Sequence, residues 1–247
     1  MGLLVITWVG RKLVPTYIVA FSLGIFFWFF ADTLSSSAGL DVNLGFNGGL
    51  SQLGVVVLFL AGFFFFIMVD RNRGIFAPES AIGKHGMIIP ILAAIAVGVH
   101  GLGEGAAYGA TAANPTVSPS LIDAFGGITA GVAYVLHKVL EPVMIGAVYV
   151  AYASGKSARI ASWLGNLLVL TILFVLPSLL GAATGYFYEW NATYAFALGT
   201  GTSIYVLFRL AAPLFLAWGD KSRQTLGIAV AWTLGFMAIY CAALFHS

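Results

Sequence analysis

Residues 86–111 read GMIIPILAAIAVGVHGLGEGAAYGAT, a 26-residue apolar run broken only by His100 and Glu104 among its polar groups. A helix needs about 20 apolar residues to cross about 30 Å of hydrocarbon. A membrane strand would instead alternate in polarity every second residue. The run therefore predicts a transmembrane helix. Six further runs of the same kind flank it, at 13–31, 49–69, 121–152, 160–186, 192–217 and 225–245. The expected fold is all-α, a polytopic membrane bundle of seven helices forming a single transmembrane domain over 1–247. The composition agrees. Of 247 residues, 60% are apolar and 8% charged, and the mean hydropathy is +0.98. A soluble domain carries about 25% charged residues, so 20 charges cannot solvate a water-facing surface here. This excludes a cytosolic enzyme, a secreted disulfide scaffold and a disordered chain.

The loops predict the orientation. Arg11 and Lys12 precede the first span, and Arg71, Arg73 and Lys84 separate the second from the third. Lys156 and Arg159 follow the fourth, and Lys221 and Arg223 follow the sixth. The intervening loops hold Asp32, Asp41, Asp123 and Glu189 without a Lys or Arg. Basic loops stay cytoplasmic, which puts the N-terminus inside and the C-terminus outside, in the cell membrane. The net charge of +2 is too small and scattered for nucleic acid; the bilayer is the expected partner. Cys241 is the single cysteine, so no internal disulfide or cysteine-based metal site exists.

Residues 1–12 hold an apolar segment of about ten residues, too short to span, and read as a helix remnant or an interfacial segment. No cleavable signal pattern is expected, because the basic pair follows the apolar stretch. The extended polar stretches fall at 33–48 and 112–120, both read as loops. Phe26–Phe30 and Phe63–Phe66 are expected to face lipid, and Trp163, Trp190 and Trp218 to sit at the interface.

Ionisable groups inside a span cost about 2.5–3.5 kcal/mol each on insertion scales and mark functional sites. His100 and Glu104 fall in the third span, and His137, Lys138 and Glu141 in the fourth, VAYVLHKVLEPVMIG at 132–146. Arg209 falls in the sixth. Each histidine precedes a glutamate by four residues, which puts the two on one helix face. Two facing helices would offer two nitrogens and two oxygens, a set that suits a divalent transition metal. The helix pair 86–152 is thus the candidate metal site, with His100, Glu104, His137 and Glu141 as ligands. Gly98, Gly101, Gly103, Gly105 and Gly109 would let the helices approach closely. Pro142 frees the carbonyl of Lys138.

HGLGEG at 100–105 resembles the His-x-x-x-Glu-Gly signature of the ZIP zinc/iron transporters, and HKVLEP at 137–142 resembles the next signature of that family. The resemblance implies a central metal site on two consecutive helices. It also implies a mid-membrane path for a divalent metal as substrate: zinc first, iron or manganese next. It makes the third span here the family's fourth, and it agrees with the orientation read from the charges. The chain departs from the family in a first helix that is absent or reduced to 1–10. Gly101 stands where Asn is frequent, and Lys138 where an acid is usual. Lys138 and Arg209 are therefore site-modulating. They either leave a single-metal site or neutralise Glu104 and Glu141 outright.

Three other functions compete. A ZIP-like structural or accessory subunit without transport is one, a homodimer or a larger membrane complex being its setting. An intramembrane zinc hydrolase is another, but the last span holds no further ligands, and the chain is not expected to be an enzyme. A retinal protein needs a lysine in the seventh span, and 225–245 has none.

Overall fold

In the computed structural model, which describes residues 1–44, 50–70, 86–114, 120, 127–153, 160–188, 191–217 and 222–243, the apolar runs are helices. Eight helices and no strand are present among the described residues: α1 (Gly2–Val9), α2 (Pro15–Leu44), α3 (Leu50–Asp70), α4 (Ile88–Ala113), α5 (Ile128–Tyr152), α6 (Ile160–Phe187), α7 (Ala192–Ala217) and α8 (Ser222–Ala243). The six helices α3 to α8 are long and apolar enough to cross a membrane. The first expected span lies in α2, whose apolar stretch Pro15–Ala31 is shorter. This is an integral membrane helix bundle.

Two boundaries correct the sequence reading. The stretch at 33–48 is not a loop throughout, because α2 continues to Leu44. It holds no proline, and polarity alone does not end a helix: an ordinary residue costs at most about 0.7 kcal/mol and a lone glycine about 1. The span expected from 121 begins as a helix only at Ile128, after Gly127 at φ 97°, a backbone glycine adopts without steric cost. Residues 121–126, 115–119, Trp190 and Trp218 lie outside the described residues.

The segment at 1–12 forms a helix of about two turns docked on α5. Gly2 lies against the Val139 carbonyl and Gly146 against the Ile6 side chain. Leu3 and Ile6 are buried there, while Val5 and Trp8 face out.

The glycines of α4 pack elsewhere than expected. A Cβ on Gly105 would overlap the Ser178 carbonyl, and one on Gly109 the Ala182 carbonyl, both on α6. Gly181 and Gly185 of α6 answer against the Leu102 and Ala106 carbonyls. The small-residue seam thus joins α4 to α6 backbone to backbone. Helices α4 and α5, which carry the two His/Glu pairs, meet instead through long polar side chains.

A second seam joins α3 to α7. Gly62 packs on the Leu198 carbonyl and Gly201 on the Phe59 carbonyl. Phe66 meets Tyr205 at 5.4 Å between ring centres, and Asp70 pairs with Arg209. From Phe66–Tyr205 to Asp70–Arg209 both partners advance by four residues, so α3 and α7 run parallel there.

The aromatic runs divide between core and lipid. Phe26, Phe29 and Phe66 are buried, whereas Phe27, Phe64 and Phe65 face out. A run of consecutive residues turns through about 100° per step, so it cannot all face one way. Trp163 is likewise buried, under the Arg11 guanidinium at 5.2 Å. The outward rows Leu168, Ile172, Leu176 and Leu226, Val230, Leu234 are apolar at helical spacing, as lipid requires.

Candidate metal centre

His100 is the thirteenth of the 26 residues of α4, and Glu141 the fourteenth of the 25 of α5. Both helices therefore carry their ionisable residues at mid-length. His100 Nε2 lies 2.8 Å from Glu104 Oε1. One ligand atom from each of His100, Glu104 and Glu141 falls within 4.8 Å of the others. Ligands of one tetrahedral ion at about 2.0–2.2 Å stand roughly 3.3–3.6 Å apart, so modest side-chain rotation would close this triplet on a metal. His137 is not in the triplet. Its Nε2 is 2.9 Å from Glu141 Oε1 but lacks the alignment of a hydrogen bond.

Lys138 stands between the carboxylates. Its Nζ donates to Glu141 Oε1 at 2.8 Å and Oε2 at 2.9 Å, and it contacts Glu104 Oε2. The ammonium also lies 5.8 Å from the Tyr134 ring centre. Two carboxylates and one ammonium leave a single formal negative charge when both histidines are neutral.

Arg209 does not share in this balance, contrary to the reading in which it neutralises a glutamate. Its Nε donates to Asp70 Oδ2 at 2.8 Å, and its Nη2 contacts the same oxygen. The reason is axial distance. Gly199 is the α7 residue pressed on His100, where an added Cβ would lie 2.8 Å from His100 Cα. Arg209 follows ten residues later, about 15 Å along the helix. Gly101, one residue past His100, is rotated onto Ser178 of α6 and does not face the cluster.

The environment of His100 has a residue that the sequence did not single out. Thr33 Oγ1 donates to the Phe29 carbonyl at 2.7 Å and lies 3.0 Å from His100 Nδ1. A hydroxyl has one proton. With it on the carbonyl, Oγ1 accepts from Nδ1–H. Nε2 is then the lone-pair nitrogen, and it faces a carboxylate oxygen at 2.8 Å. That approach is favourable when a metal ion or a second ring proton lies between them; with the hydroxyl proton on Nδ1 instead, Nε2–H itself donates to Glu104. Phe29 at 4.5 Å and Phe196 at 5.6 Å wall the imidazole.

Burial is graded across the cluster. The side chains of His100 and Glu141 are 0% exposed, those of Glu104 and Lys138 12% and 17%. Glu104 lies beyond His100 along α4, and Lys138 before Glu141 along α5, so both point to the end of the bundle away from the basic loops. No family model, curated protein or solved structure matches this chain.

Proposed function

We propose that the chain is a ZIP-like transporter of a divalent transition metal, zinc first, in the cell membrane. The convergence of His100, Glu104 and Glu141 within 4.8 Å at mid-helix carries the reading. Three ligands from two helices, with His100 Nδ1 held by Thr33, form the kind of oriented donor set that first-row metals favour. The resemblance of HGLGEG and HKVLEP to the ZIP signatures supports the same assignment, as does the orientation expected from the basic loops. The ion sheds water for these ligands and meets Lys138, which competes for the same oxygens. His137 is in reach of Glu141 as a fourth ligand or relay. Protons compete with the metal because imidazole and carboxylate bind it deprotonated.

One observation favours a second reading. Lys138 already satisfies both carboxylates, so the cluster can persist as a structural knot in an accessory subunit without transport.

Elemental analysis of purified protein separates the two. About one metal ion per chain at neutral pH, lost in Glu104→Ala and in mild acid, supports transport, with flux into proteoliposomes as the next step. No metal after loading with zinc, iron or manganese overturns it in favour of the knot.

A further inference from the structure

We propose that Arg209 is the centre of a clasp that closes the bundle between the mid-membrane cluster and the face bearing the basic loops. The proposal rests on the transport reading for its purpose, but not for its geometry. Asp70, Tyr152 and Arg209 are all buried, and they come from three helices, α3, α5 and α7. Asp70 and Tyr152 are the last residues of their helices, next to Arg71 and a few residues before Lys156.

Arg209 is held twice. Its guanidinium binds Asp70 of α3. Its carbonyl accepts a hydrogen bond from Tyr152 Oη of α5 at 2.9 Å. That carbonyl is available because Pro213, four residues on, has no N–H to return. The proline thus frees a backbone acceptor, and a tyrosine from another helix takes it. A proline-weakened turn is also where a helix bends, so the attachment falls at the flexible point of α7.

The clasp lies beneath the cluster. Tyr152 follows Glu141 by eleven residues, three turns and about 16 Å, and so shares its face of α5. Ile145 and Val148 fill that column between them, both buried. On α7, Thr202, Tyr205 and Arg209 form one stripe, with Thr202 bonded to the Ala96 carbonyl of α4 at 2.8 Å. Asp70 Oδ1, Arg209 Nη1 and Tyr205 Oη are buried and make no hydrogen bond among the described residues. Within the cluster the side chains with some exposure are Glu104, Lys138 and His137, and along their helices all three are placed on the side away from the clasp. The structure assigns one open side and one latched side.

The test uses a Cys241→Ser background, since Cys241 is exposed, with Thr202→Cys as reporter. A membrane-impermeant maleimide is applied from each face of sided vesicles without added metal. The reporter stays protected from the basic-loop face in the background. Asp70→Asn, and independently Tyr152→Phe, raise its labelling from that face by about tenfold or more, as expected when a latched population is released, and leave labelling from the other face unchanged. Protection that persists in both variants overturns the clasp, as does labelling that rises from both faces, which would mean a loosened fold. Tyr152→Phe decides alone if Asp70→Asn cannot be purified. Release of the reporter in a protein that binds no metal keeps the clasp and removes the transport reading. Metal flux with a reporter that stays protected does the reverse.

Discussion

Thr33 Oγ1 lies 3.0 Å from His100 Nδ1 and 2.7 Å from the Phe29 carbonyl, so one hydroxyl on α2 holds the ring nitrogen of a histidine on α4 that faces away from the carboxylates. Partners of this kind typically change metal affinity 10–100-fold. Thr33→Val keeps the shape and removes the acceptor, and it should weaken zinc binding by about that factor. Thr33→Ser should bind as the parent does. Competition against a coloured chelator measures both, and equal affinity for Thr33→Val would remove Thr33 from the site.

Lys138→Met leaves Glu104 and Glu141 buried without their cation. Breaking a buried pair by removing one partner costs about 3–5 kcal/mol. The metal-free variant should therefore melt well below the parent, and zinc should restore most of the loss by taking the vacated charge. Melting in detergent with and without zinc reads this directly. A variant whose melting is indifferent to zinc would mean that the carboxylates do not form a cation site.

Arg209→Met should behave differently, because Arg209 serves Asp70. We expect a comparable loss of stability, about 3–5 kcal/mol, with metal content unchanged. Replacing both partners, as Asp70→Leu with Arg209→Met, should recover much of it, since an apolar pair avoids the buried lone charge. Metal loss in the single variant would overturn this and tie Arg209 to the cluster.

His100→Ala and His137→Ala should be unequal. His100 belongs to the close triplet and His137 touches only Glu141. Metal should be lost with the first and weakened with the second, by the same elemental assay. Equal losses would show that the metal-bound site draws His137 in.

The α4–α6 seam gives a packing test. Gly105→Val drives a branched side chain into the Ser178 carbonyl, and overpacking of this kind costs about 1–3 kcal/mol or more. Gly165→Ala, with open space at its Cβ, should not lower melting and should raise it slightly, because alanine is the better helix former by about 1 kcal/mol. A tolerated Gly105→Val would show that the two helices can part.

The sequence by itself determined that the chain is a membrane helix bundle, because apolar runs of this length admit no other solution in lipid. It also placed His100, Glu104, His137 and Glu141 at mid-helix as two pairs, since a spacing of four puts two side chains on one face whatever lies opposite, but not that His137 would fall outside the close triplet. Lys138 was legible as a modulator from its place beside His137. The partners were not. Asp70 falls one residue past the second expected span, and Thr33 in a stretch read as a loop, and local pattern does not say which helix comes to stand beside which. Arg209 did carry a signal, as a lone cation in a span that must find an anion, but two glutamates were nearer in kind than the aspartate it found. Only the tertiary structure chose. The parallel α3–α7 seam brings Asp70 level with Arg209, α2 brings Thr33 to His100, and Tyr152 takes the carbonyl that Pro213 frees. Axial register between helices far apart in sequence decides each of these, and register is a property of packed surfaces, not of any single segment.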